Sequence, residues 1–143
     1  MTSISRSALV MYSASQMFDL VNDVRRYPEF LDGCSATEVL AEGDDFIEAT
    51  LTIAKAGVNQ SFSTHNTLLR PERMEMRLLN GPFSRFSGIW TFQALSDTAC
   101  KVTLEMEFEM SNRLAGAAMG MVFKQIANMM VDAFVKRAKQ IYG

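Results

Sequence analysis

The stretch Cys100-Lys101-Val102-Thr103-Leu104-Glu105-Met106-Glu107-Phe108-Glu109-Met110 alternates without a break. Cys100, Val102, Leu104, Met106, Phe108 and Met110 fall on one side, and Lys101, Thr103, Glu105, Glu107 and Glu109 on the other. Successive side chains of an extended chain point to opposite faces, so this is a strand with one greasy and one acidic face. The greasy face needs a cover, and the sequence that follows supplies one. From near Ser111-Asn112 onward there is no proline, and no glycine between Gly120 and Gly143. Residues set at about 100° intervals place Met119, Val122, Phe123, Ile126, Ala127, Met129, Met130, Ala133, Phe134, Ala138 and Ile141 on one side of a helix. Lys124, Gln125, Asn128, Asp132, Lys136 and Lys139 occupy the other. The apolar arc covers about half the circumference, wider than the ~100° stripe of an ordinary surface helix, which implies a helix gripped by a curved sheet. Lys136, Arg137 and Lys139 in its last turns suit the negative end of the helix dipole.

Upstream, the period of two persists from Cys34, with Ile47, Ala49, Leu51 and Ile53 on one face, then Met74, Met76 and Leu78, then Phe86, Gly88, Trp90 and Phe92. Gly43, Gly57, Pro71, Gly81-Pro82 and Asp97 punctuate it into an antiparallel meander. Residues Ile4 to Met11 read as a first strand. Tyr12-Ser13-Ala14-Ser15-Gln16-Met17 then carries a capping box, Ser13 with Gln16, and a staple of Tyr12 on Met17. The helix it opens has the stripe Met17, Leu20, Val21 and Val24, and Pro28 stops it, with a second short helical turn at Glu29-Phe30-Leu31. The expected fold is α+β, one domain over residues 1–143: a strand, two short helices, a long curved antiparallel sheet and one closing helix.

At 143 residues, 48% hydrophobic and 21% charged, the chain has the size of a single core. Its net charge of -2 gives no cationic excess for wrapping a phosphate backbone, so DNA binding is not expected, although a local basic patch remains compatible. Met1-Thr2-Ser3-Ile4-Ser5-Arg6 lacks a secretory pattern, and the uncharged run Leu114 to Phe123 is about half the ~20 residues of a membrane span. A cytoplasmic protein is expected, at most peripheral to the inner membrane through transient contact. Cys34 and Cys100 form no paired motif and read as free buried thiols. The eleven methionines suit irregular core filling, or a surface that accepts greasy ligands of variable shape.

Catalytic chemistry has little to stand on. The single histidine, His65, falls on the outer face of its strand and reads as a solvated side chain. No ligand spacing supports zinc, and neither GxGxxG nor GxxxxGK[ST] occurs, so metal, nucleotide and catalytic residues are all expected to be absent. Glu105, Glu107 and Glu109 read as a solvated strand face. Gly116-Ala117-Ala118-Met119-Gly120 presents small residues at the head of the closing helix, for close approach to a neighbour or for room beside an apolar guest. Trp90 is a core anchor or a cavity wall.

The ordered segments Tyr12 to Val21, Tyr27-Pro28-Glu29-Phe30-Leu31, Asn80-Gly81-Pro82-Phe83, Gly88-Ile89-Trp90-Thr91-Phe92, Met130 to Phe134 and Ile141-Tyr142-Gly143 together resemble the coenzyme Q-binding START-like family. That family belongs to the polyketide cyclase/lipid-transport superfamily and includes bacterial ribosome-association toxins. The resemblance spans essentially the whole chain and implies a helix-grip fold, START or Bet v 1-like, around a hydrophobic cavity. It implies two activities of relatives: binding a polyprenyl quinone in support of respiration, and binding the large ribosomal subunit so that subunits fail to associate. Asn66 departs from the pattern at an inward position where a β-branched apolar residue is expected, as does His65 where a basic residue is common.

The leading expectation is a non-enzymatic protein that holds ubiquinone or a similar isoprenoid lipid, without a covalent cofactor. The cavity is placed among Phe62, Met74, Met76, Trp90, Phe92, Met106, Phe108, Met119, Phe123 and Met130. Burial at about 0.8 kcal/mol per CH₂ would supply the affinity. The alternative is a ribosome-binding regulator that contacts RNA phosphates through Arg25, Arg26, Arg70, Arg73 and Arg77. Cyclase activity, known elsewhere in the superfamily, would need acids and bases in the cavity that the sequence does not supply.

Overall fold

A computed structural model describes residues 1–111 and 113–143, and the side chains of 1–111 and 116–143. The order is β1 (Thr2–Val10), α1 (Ala14–Asn22), a 3₁₀ helix (Val24–Glu29), β2 (Cys34–Glu42), β3 (Phe46–Lys55), β4 (Val58–Leu69), β5 (Arg73–Asn80), β6 (Phe83–Ser96), β7 (Ala99–Met110) and α2 (Arg113–Tyr142). The seven strands form one antiparallel sheet in the order β1-β7-β6-β5-β4-β3-β2, a meander whose last strand returns to pair with the first. The α+β helix-grip architecture follows from the alternation: Cys100, Val102, Leu104, Met106 and Phe108 are all buried against the concave side, where α2 lies.

The capping box forms as the sequence predicts. The Gln16 backbone N–H donates to Ser13 Oγ at 3.1 Å, and the Ser13 N–H to Gln16 Oε1 at 2.9 Å. Tyr12, expected against Met17, has its ring beside Tyr142, whose hydroxyl donates to the Gln16 carbonyl at 3.0 Å, so the entry to α1 is tied to the last turn of α2. The second helical segment starts earlier than expected, with Pro28 inside it. α-Helical bonding already ends at Asp23, where ψ is +66°, and a single tight run tolerates the missing proline N–H.

On α2 the buried side is Val122, Phe123, Ile126, Ala127, Met130, Val131, Phe134 and Ala138. Two expected members are exposed, Met129 at 49% and Ile141 at 53%. Met129 lies roughly 140° around the helix from Phe134, whereas Val131, which takes a core place, is only about 60° away. Ile141 is on the inward side but in the final turn. The expected start near Asn112 lies outside the described residues.

Candidate functional site

Beneath α2 is a cavity of about 60 Å³, walled by every layer of the fold. Val24, Tyr27 and Leu31 close one end; Ala49, Leu51 and Ile53 come from β3, and Phe62, Thr64 and Asn66 from β4. Met76, Phe86, Trp90 and Met106 continue the sheet wall, and Phe123, Ile126, Ala127 and Met130 of α2 form the roof. Six of the ten residues expected from sequence line this space: Phe62, Met76, Trp90, Met106, Phe123 and Met130.

The other four lie off it. Phe92 meets Phe18 of α1 edge-on at 5.6 Å, and Met74 pairs with Trp90 in register, both in solid core. Phe108 packs on Phe83 and Phe123, and Met119 is a half-buried neighbour of the core. Alternation tells inward from outward, but not which inward rows lie beneath a helix and which beneath the gap.

Size decides what this packing admits. An engineered cavity that binds benzene has about 150 Å³, so 60 Å³ holds neither a quinone ring nor a prenyl tail until side chains move. Met76, Met106 and Met130 are unbranched and can swing. Gly88 makes room for one of them: a Cβ there would sit 2.5 Å from Met76 Cε.

The lining is apolar except at one place. Thr64 Oγ1 donates to Asn66 Oδ1 at 2.9 Å, and Asn66 Nδ2 makes only a long contact, 3.8 Å, to Met74 Sδ. Thr64 and Asn66 are 4% and 6% exposed. An amide with a donor to spare inside an apolar cavity can bind an oxygen of a guest. Asn66 was legible as an inward departure; its partner Thr64, two positions away on the same face, was the signal that completes the pair. Tyr27, the only titratable lining group among the described residues, donates its hydroxyl to the Val21 carbonyl, and burial pushes its pKa up. Val24 was legible as an apolar member of the first helical stripe, though not as cavity lining; Tyr27 and Leu31 escaped sequence reasoning because a short 3₁₀ helix and the turn after it carry little period.

The small residues at the head of α2 do not open onto the cavity. A Cβ on Gly116 would lie 2.8 Å from Met110 Cβ, and one on Gly120 3.5 Å from Met110 Cγ, so they allow close approach to the end of β7. His65 is on the outer face, as expected, but is not simply solvated: Nδ1 lies 2.7 Å from Glu48 Oε2 and the ring stacks on Phe46. Burial raises the Cys34 thiol to about 11 and the Cys100 thiol above its usual value, which makes both poor nucleophiles. Among the described residues no His, Cys, Asp and Glu group could hold a metal ion, and no helix is long and apolar enough to cross a membrane.

The five arginines expected to contact RNA are spread over the 3₁₀ helix, the end of β4 and β5, and four are engaged. Arg25 reaches Glu42 at 2.8 Å, Arg26 reaches Glu29 at 3.1 Å, and Arg73 lies 3.6 Å from Glu75. Arg70 pairs with Asp19 at 3.2 Å and lies over the Phe18 ring. Arg77 is exposed on the outer face, opposite His65 in register. Hydrogen bonds from Arg25, and from Arg26 with Arg137, hold the carboxyls of Glu42 and Glu29 below the usual range.

Comparison with known proteins agrees with this geometry. The chain is 51% identical over 142 residues to the ribosome association toxin RatA of Pseudomonas aeruginosa, covering 99% of both chains. It is 24% identical to the mitochondrial coenzyme Q-binding protein COQ10 of Drosophila melanogaster, over 97% of this chain and 59% of that one. The solved structure of the Zhui aromatase/cyclase from a Streptomyces species superposes with a TM-score of 0.84 at 17% identity, over 99% of this chain and 96% of the other, which is a likeness of fold. Residues 10–135 match the family described as polyketide cyclase / dehydrase and lipid transport, and the chain belongs to that family.

Proposed function

We propose that this protein is a non-enzymatic ribosome-associating regulator that binds the large subunit and hinders subunit joining. The observation that carries this reading is the 51% identity, end to end, with a protein named a ribosome association toxin. It ranks above the quinone reading, which leads from sequence alone, because the relative named for coenzyme Q is only 24% identical and the cavity is well below the size of a quinone ring. The reading needs no catalytic group, and the cavity lining offers none beyond the engaged Tyr27.

The test adds purified protein to separated subunits under joining conditions and resolves them on sucrose gradients. The expected result is less joined ribosome, with the protein migrating with the large subunit. Unchanged joining, with the protein left at the top of the gradient, would refute it.

A second reading, a bound polyprenyl quinone or other lipid, is favoured by one feature, the Thr64–Asn66 pair in an otherwise apolar cavity. Organic extraction of protein purified from its own host tests it: a stoichiometric quinone supports the reading, and a clean extract counts against it.

A further inference from the structure

The net charge of -2 hides a partition. α2 carries five basic residues, Arg113, Lys124, Lys136, Arg137 and Lys139, against one acid, Asp132. Of the chain's fourteen basic and sixteen acidic residues, nine and fifteen remain for everything else. The helix is therefore net +4 and the remainder net -6.

The apolar side of α2 is buried; Lys124, Lys136 and Lys139 share the solvent side with Asp132, whereas Arg137 is mostly covered and paired with Glu29. Lys124, Lys136 and Lys139 are exposed and, among the described residues, make no ion pair. At 1.5 Å per residue the row from Lys124 to Lys139 runs about 22 Å, within roughly 120° of arc, and the exposed Asp132 is the one acid inside it. Arg6 of β1 joins it, its Nε donating to Asn128 Oδ1 at 3.2 Å while its terminal nitrogens have no protein partner among the described residues. Elsewhere Arg25, Arg26, Lys55, Arg70 and Arg73 are each matched by a carboxylate, and the exposed Arg77, Arg85 and Lys101 are interleaved with the glutamates of the outer sheet face.

We infer that this stripe of α2, Lys124, Lys136 and Lys139 together with Arg6, is the surface that docks on the phosphodiester backbone of ribosomal RNA. The inference rests on the ribosome-association reading and adds the face that makes contact. Charge complementarity selects the polyanion, and the exposed amides of Gln125, beside Lys124, and Gln140, beside Lys139, can bond phosphate or ribose oxygens. An anionic membrane would also attract lysines, but a helix that lies in a lipid surface buries its apolar face there. The apolar face of α2 is spent on the protein core. The outer face of the sheet mixes both signs, with Glu75, Glu105 and Glu107 exposed beside Arg77, Arg85 and Lys101, and presents no comparable run of basic residues.

The experiment compares wild type, Lys124→Gln/Lys136→Gln/Lys139→Gln, and Arg25→Gln/Arg26→Gln. Binding to purified large subunits is measured from about 50 to 200 mM salt, with a parallel arm of phosphatidylglycerol vesicles and thermal melts to show that each variant is folded. Three to four phosphate contacts imply that wild-type affinity falls roughly 10²-fold across that range. The lysine variant should bind at least ~10-fold more weakly at low salt with a shallower salt slope, and the arginine variant should follow wild type. Wild-type binding by the lysine variant overturns the docking face while leaving ribosome association standing. A loss confined to the arginine variant does the same. Binding to vesicles but not to subunits by the wild type overturns both.

Discussion

Gly116 and Gly120 lie one helical turn apart and face the same residue, yet alanine should act with opposite sign at the two. At Gly116 a new Cβ would meet Met110 Cβ at 2.8 Å and Met110 Cγ at 3.5 Å. Met110 Cβ is fixed to the backbone at the end of β7 and cannot swing aside, so the helix must lift. Overpacking of this kind costs about 1–3 kcal/mol, against a gain of about 1 kcal/mol in helix propensity, for a net loss of roughly 0–2 kcal/mol. At Gly120 the nearest atom is Met110 Cγ at 3.5 Å, an ordinary contact. The propensity gain is then nearly unopposed, and Gly120→Ala should stabilise by about 0.5–1 kcal/mol. Two changes of identical chemistry thus differ by about 0.5–3 kcal/mol, or up to several degrees in Tm at roughly 2–4 °C per kcal/mol. Urea melts with unchanged m values, paired with calorimetry, measure the split. Because the Gly116 contact is with Cβ, Met110→Ala should not rescue Gly116→Ala. Equal stabilisation by both alanines, or rescue by Met110→Ala, would refute the seam between α2 and β7.

Asn66→Val strands the Thr64 hydroxyl and should cost about 1–3 kcal/mol in denaturant melts, while Thr64→Val/Asn66→Val should recover most of it; a double variant no better than the single one means that the pair is not coupled. Trp90→Ala removes a buried ring that stacks on Phe92 and meets Phe134 edge-on, and should cost about 3–5 kcal/mol; a loss below about 1 kcal/mol would mark the ring as loosely packed. For alkaline pH, the raised Cys34 and Tyr27 values mean that the folded state holds these protons more tightly than the unfolded one, so stability is full below about 9 and falls as pH rises through 9 to about 11. Cys34→Ala should flatten that fall in pH-dependent thermal melts, and a slope identical to wild type would show the thiol is not part of it.

The elements whose period is unbroken were legible from sequence. β7 reads directly from its alternation and the roof of α2 from its turn spacing, because burial on one side of a regular element leaves a regular trace. Alternation also brought Asn66 to the inward face. What the period could not reach was the third dimension of the cavity. Phe92 and Phe108 alternate as correctly as Trp90, but the first lies under α1 and the second under the aromatic cluster of Phe83 and Phe123. Tyr27 sits in the short 3₁₀ helix and Leu31 just beyond it, and their place in the cavity wall depends on contacts across the chain. His65 shows the same limit on the outside: its face is set by alternation, but its stacking and its contact with a carboxylate depend on residues 46 and 48 of the neighbouring strand.

Overall charge is blind to the surface for a related reason. A sum of -2 argues against a phosphate partner only if every charge acts at the same distance. The Debye length at physiological salt is about 8 Å. α2 lies on the concave side of the sheet, while Glu75, Glu105 and Glu107 point from the convex side. A helix about 10 Å across, packed roughly 10 Å from a sheet, separates the exposed lysines from those glutamates by about 20 Å, more than two screening lengths. A phosphate on α2 therefore meets Lys124, Lys136, Lys139 and Arg6 against Asp132, a net of +3 among the described side chains, and the acids behind the sheet cancel almost none of it. Moving the same lysines to the convex face would leave composition, pI and net charge untouched and abolish the positive face, so the decisive quantity is charge within one screening length of a surface, which the fold assigns and the composition averages away.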